Sequence, residues 1–164
     1  MFRTATVRTL DAHRDNRLGG WAMGKRTSDV CHVVTMQLVL ADGTALPVTA
    51  ELTYAVSDPY TVRAFFSAPN SASTWLIGRE LLSKGLRSTI SSPAGMGDVQ
   101  VWRDEDPSYA LLSLNGVEGN ALLATPAIAI ERFLASTVAL IPFGDEGARM
   151  DSELTDLIAM LFTA

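Results

Sequence analysis

The chain is predicted to fold as an α+β domain, and three features of the sequence predict it. Residues 30–77 divide into four short runs rich in β-branched and aromatic side chains, punctuated by Asp42-Gly43, Asp58-Pro59 and Pro69-Asn70. Two later stretches carry apolar residues at helical spacing instead: Ile130, Phe133, Leu134, Thr137 and Val138, then Leu154, Leu157, Ile158 and Leu161. Between them, Trp75–Trp102 passes from alternation to a helical period and back to alternation, so it links two groups of strands.

Each element follows from local chemistry. Val30–Leu40 reads as the first strand, Asp42-Gly43 as a type I′ hairpin turn, and Thr44–Val56 as the return. Pro47 falls near the start of that return, where a missing N–H is tolerated at an edge or bulge. Tyr60–Ser67 and Ser73–Ile77 complete a four-stranded antiparallel meander on short turns. Gly78 breaks the fourth strand and Arg79–Lys84 can form nearly two helical turns. Gly85 is expected just past that helix in the left-handed region. Pro93, Gly95 and Gly97 bring the chain to a strand over Asp98–Arg103, followed by the acidic turn Asp104–Pro107. Asn115-Gly116 is a hairpin signal between strands Tyr109–Leu114 and Val117–Leu123. Thr125 is expected to cap the next helix with Pro126 in its first position, and Pro142 and Gly144 end it. Asp151 is expected to cap the last helix, which should dock its apolar face on its own subunit or on a neighbour.

At 164 residues the chain is long enough for one self-sufficient core, with no repeat and no low-complexity tract. Residues 1–28 read as a basic, flexible leader, and residues 29–164 as the single domain; Met23 is an alternative start. The leader holds six Lys or Arg against two Asp, a net +4, while the remainder holds seven basic and sixteen acidic side chains, a net −9. An acidic body repels phosphate backbones, so no specific nucleic acid is expected. Apolar runs such as Val30–Leu40 and Ala121–Leu140 are interrupted well short of the ~18–20 residues of a membrane span. Cys31 stands alone, so no disulfide closes within the chain, which fits a cytoplasmic protein.

The sequence is poor in reactive constellations. There is no glycine-rich phosphate loop and no G-x-S-x-G elbow. One Cys and two His cannot build a zinc site. Cys31 and His32 are neighbours on a strand and face opposite sides, so they form no dyad; Cys31 reads as a small core residue and His32 as a surface or sheet-edge one. Asp104, Glu105 and Asp106 read as a solvated turn rather than a cation site. Trp75, Trp102, Tyr60, Phe65 and Phe66 could form a base-stacking platform beside Arg63, Arg79, Lys84, Arg87 and Arg103, but core is the preferred reading. No catalytic residue, cofactor or metal is implied. The chain reads as a non-enzyme.

The strings LPVTAELTYAVSDPYTVRAFF, WLIGRELLSKGL, PAGMGDVQVW, LLSLNGVEGNALLAT, FLASTVALIPFGDE and DSELTDLI, in that order, resemble the SsgA-like proteins of actinobacteria. The resemblance covers about residues 30–162, and it is closest to the SsgB-like branch. It departs at Ile77-Gly78, where an aromatic and Ala are usual, at Gln100, which stands for Arg, and at Leu114-Asn115-Gly116, which stands for Ser-Pro-Asp-Gly. Membership implies a fold similar to the whirly single-stranded-DNA-binding proteins, with two four-stranded antiparallel sheets, one short connecting helix and two C-terminal helices, assembled as a homotrimer. It also implies sporulation-specific cell division without enzymatic activity: marking septum sites and recruiting the tubulin-like FtsZ, with an SsgA-type paralogue as a further partner and membrane contact only indirect. A whirly-like protein that binds single-stranded nucleic acid is the alternative. Tyr60, Trp75, Arg79, Leu82, Trp102, Phe133 and Leu157 are the candidate structural or interface residues.

Overall fold

The computed structural model describes residues 28–162. The expected leader, apart from Ser28, and the alternative start at Met23 lie outside the described residues. In chain order the elements are β1 (Val30–Val39), β2 (Ala45–Ala55), β3 (Asp58–Ala68), β4 (Ser71–Gly78), α1 (Arg79–Gly85), β5 (Val99–Arg103), β6 (Tyr109–Gly116), β7 (Gly119–Pro126), α2 (Ala127–Leu140) and α3 (Glu146–Phe162). The α+β class, the β1–β4 meander and the order of elements agree with the patterning.

The sheet differs from the one the resemblance implied. All seven strands belong to one antiparallel sheet in the order β4-β3-β2-β1-β7-β6-β5. The two halves meet at a narrow joint: β1 pairs with β2 along its whole length, but with β7 only through Gln37, Leu38 and Val39. An eighth strand is reduced to a bridge between Ala94 and Val101. Pro93 has no N–H to extend that pairing, and Gly95 and Gly97, at φ 96° and 100°, turn the chain away. The Ser88 carbonyl also accepts the Arg103 N–H, so residues 88–94 cover the outer edge of β5.

One face of the sheet forms the core. Met36, Ala50, Leu52, Val62, Ala64, Ile77, Val101 and Leu112 are almost wholly buried there, beneath Leu82 of α1 and Ile130 and Phe133 of α2. The sheet curls around them. Trp75 on β4 comes so close to the β6–β7 hairpin that a Cβ on Gly116 would lie 3.6 Å from its ring, although β4 and β6 are far apart in strand order.

Several local expectations give way to packing. Gly85 is not left-handed; a Cβ there would lie 2.3 Å from Val101 Cγ1, so glycine serves close approach of α1 to β5. Asn115 and Gly116 pair with Asn120 and Gly119 inside the hairpin, and the turn falls on Val117-Glu118. Pro59 likewise sits within β3, and its turn falls at residues 56–57. Thr125 and Pro126 complete β7 and α2 begins at Ala127, with no side-chain cap. Glu146 rather than Asp151 starts α3. Cys31 is exposed, because Val30, Val34 and Met36 occupy the core face and Cys31 takes the other. His32 lies on the core side, half-buried edge-on to Phe133 with ring centroids 5.5 Å apart, and its Nε2 is 3.3 Å from the Ser136 hydroxyl.

Candidate functional site

Charge is buried at one place where three segments meet. Arg79, the first residue of α1, is 1% exposed. Its guanidinium lies between two rings, with Cζ 5.1 Å from the Tyr54 centroid and 4.5 Å from that of Phe143. Nη1 donates to the Ile141 carbonyl at 2.6 Å, and Nη2 to Glu146 Oε1. Glu146 Oε2 accepts the Gly144 N–H at 2.7 Å, and the Tyr54 hydroxyl donates to the Pro59 carbonyl at 3.1 Å. Nε of Arg79 has no hydrogen-bond partner. A planar fork can pair a carboxylate, bond a carbonyl and stack on aromatics at once, which an ammonium cannot do. The guanidinium thus ties the β4–α1 junction to the loop between α2 and α3.

The electrostatics follow from that cage. Burial pushes the Glu146 carboxyl up, but hydrogen bonds from Arg79, from its own backbone and from Gly144 outweigh it and hold the carboxyl below the usual carboxylate range. Burial pushes the Tyr54 hydroxyl up, with the Arg79 charge opposing. A second pair, Arg103 to Glu131 at 2.9 Å, joins β5 to α2 in a part-buried setting. Both pairs connect elements.

Three surfaces surround this frame. At the far end of the curl, an open cleft of about 720 Å³ lies between the β3–β4 and β6–β7 hairpins. Leu38, Phe66, Trp75, Leu114 and Leu123 line it with apolar atoms, and Asn70, Ser71, Glu118 and Asn120 with polar ones. On the outer face of the sheet, Val33, Phe65 and Leu76 are 67%, 40% and 40% exposed around the uncovered Arg63. The third surface is α3, where every residue from Ala148 to Phe162 is exposed.

The seven residues singled out in the sequence do not converge on one site. Trp75, Leu82 and Phe133 are core. Trp102 is buried outside that cluster, its indole N–H without an acceptor. Tyr60 is half-exposed at the base of α3, its hydroxyl 3.5 Å from where a Cβ on Gly147 would stand. Arg79 is the cage itself, and Leu157 is 54% exposed on α3. A base-stacking platform does not form: Trp75, Trp102 and Phe66 are buried, and Tyr60 and Phe65 face opposite sides of β3. Sequence reasoning missed Tyr54, Phe143 and Glu146 as partners of Arg79. The available signal was a lone arginine opening a helix after an apolar strand, with an acid in the Pro142–Glu146 turn. No helix among the described residues is long and apolar enough to cross a membrane.

Comparison with known proteins adds to this geometry. Residues 48–146 match the family model described as Streptomyces sporulation and cell division protein, SsgA. The sporulation-specific cell division protein SsgB of Streptomyces coelicolor is 38% identical over 129 residues, covering 76% of this chain and 91% of that protein. SsgB of Kineococcus radiotolerans is 35% identical over 162 residues, covering 96% and 94%. A solved structure from work on SsgB mutations and longitudinal cell division during sporulation of Streptomyces coelicolor superimposes with a TM-score of 0.68 at 35% identity, covering 77% of this chain and 99% of that one. An SsgA-like sporulation-specific cell division protein from Thermobifida fusca gives 0.67 at 29%, covering 82% and 98%.

Proposed function

Since the chain belongs to the SsgA family of sporulation and cell division proteins, we propose that it is a non-enzymatic adaptor that helps mark septum sites and recruits FtsZ through protein contacts. The observation that carries this reading is how its charges and its apolar surface are distributed. The buried charges Arg79 and Glu146 are spent on joining elements, while α3 and the outer sheet face leave large apolar side chains in solvent. Arg79 and Glu146 are held in structural contacts rather than presented to a ligand, and exposed apolar patches are what partner proteins recognise.

In this reading the chain works as a homotrimer in the cytoplasm at the septum, contacts an SsgA-type paralogue, and reaches the membrane only through its partners. Its fold relates to the whirly proteins in architecture without sharing their nucleic-acid task. The test is a fluorescent fusion in a sporulating actinobacterial host. Ladders at future septa before FtsZ rings form are expected; diffuse signal, or ladders that need pre-existing rings, would overturn the recruiting role. A gel-shift titration with single-stranded oligonucleotide at low salt should show no binding, where a phosphate-binding protein would bind most tightly.

A further inference from the structure

We infer that β4 is the docking edge for the chain's own N-terminal segment: residues 2–10 add to it as a further strand, parallel to β4. The inference goes beyond the function proposed above and does not depend on it. On the sheet side, the observation is a bare margin. β4 pairs with β3 at eight consecutive positions in unbroken register, and no strand adjoins its other side among the described residues. From Ser71 to Gly78 it has no Lys, Arg, Asp, Glu or Pro, the residues that keep an exposed edge from pairing. The opposite margin is already covered by residues 88–94.

On the chain side, residues 2–10 have the composition of a strand. Five of the nine are β-branched or aromatic (Phe2, Thr4, Thr6, Val7 and Thr9), and no Gly, Pro or acid interrupts them. Asp11 ends the run, and residues 11–28, with Gly19-Gly20 among them, link it to β1. Asp29 fixes the far end of that linker: its N–H donates to the Tyr54 carbonyl and its carboxylate accepts the Val56 N–H, both at 2.8 Å.

Length, register and charge select this occupant. The pairs Val30–Tyr54, Tyr54–Val62 and Val62–Ile77 set the start of β1 level with the end of β4. A strand beyond β4 lies four strand spacings from β1, roughly 19 Å away. A flexible linker of 18 residues has a root-mean-square span of roughly 21–25 Å, and a tethered segment binds best when span and distance match. Leu10 therefore reaches the Gly78 end of β4. The Phe2 end lies beside Ser71, where the apolar cleft lined by Phe66 and Trp75 opens. Arg3 and Arg8 meet no charge on β4 and join an otherwise acidic body. They also give the new outer edge the charges that β4 lacks. A strand from another molecule then joins β4 only by displacing this segment.

The experiment is amide hydrogen exchange on the full chain, read at residues 71–78. Successive N–H groups of a strand point to opposite sides, so one of Thr6→Pro and Val7→Pro removes a donor aimed at β4. Wild type should protect the outward amides of β4, and the effective proline variant should lose roughly tenfold of that protection. Amides of β2, inside the sheet, should exchange as in wild type and so report that the fold is intact. In a Cys31→Ser background, Leu76→Cys paired with Arg8→Cys, or with Thr9→Cys one register step away, should close an intrachain disulfide on oxidation. Leu76→Cys paired with Phe2→Cys, at the other end of the strand, should not. Free exchange of β4 in wild type, or protection indifferent to both prolines, would overturn the inference. So would a disulfide found only between chains, which assigns the strand to a second copy. None of these results bears on septal localisation.

Discussion

Arg79 owes its importance to desolvation. A guanidinium removed from water is costly unless it is compensated, and here a carbonyl and a carboxylate take Nη1 and Nη2 and two rings flank its plane, while Nε goes unpaired. Removing one partner should therefore cost more than removing both. Arg79→Met is expected to lower stability by about 3 kcal/mol in urea denaturation, whereas Arg79→Met with Glu146→Leu should recover much of the loss. Arg79→Lys should resemble the single loss, since an ammonium cannot make the fork. The depressed Glu146 carboxyl gives the pH dependence its sign. Its contribution is complete above the unfolded-state value of about 4.3 and is lost as pH falls through the lower folded-state value. The urea midpoint of wild type should thus drop more steeply below that pH than that of Glu146→Gln. Arg79 was visible in the sequence as part of a family motif. Its pairing with Glu146 was not, because 67 positions separate them and only the fold brings them together.

Among the elements, period was easier to read than punctuation. The strands and the α2 stripe of Ile130, Phe133, Leu134 and Thr137 followed from spacing, since burial on one face dictates it. Boundaries failed where a turn residue had another task. Gly116 looked like a turn glycine but lies flat against Trp75; Gly85 looked like a helix stop but admits Val101. The two glycines should respond differently to a methyl group. Gly85→Ala forces overlap with the Val101 side chain and should cost about 1–3 kcal/mol. Gly116→Ala makes only ordinary contact and should shift the midpoint by less than about 0.5 kcal/mol of stability. Equilibrium unfolding of the two variants side by side checks the contrast. In α2, Phe133→Ala empties a fully buried position and should cost about 3–5 kcal/mol by the same assay.

For the molecule as a whole, class and charge were legible early, while the joining of two strand groups into one curled sheet was not. That joining depends on three pairs between β1 and β7, too short a contact for any pattern in the sequence to announce. The same scale governs the exposed surfaces, because whether Leu157 or Phe65 faces solvent depends on what the rest of the chain leaves uncovered. The two sheet margins have a further consequence. Residues 88–94 occupy the outer side of β5, while β4 pairs only with β3 among the described residues. A strand donated by another molecule can therefore join at one margin and finds the other closed. Two copies meeting margin to margin would each use up the one open margin among the described residues. Accretion along the hydrogen-bonding direction would stop at a pair, and the extended stacking that leads to fibres would have no second site from which to continue.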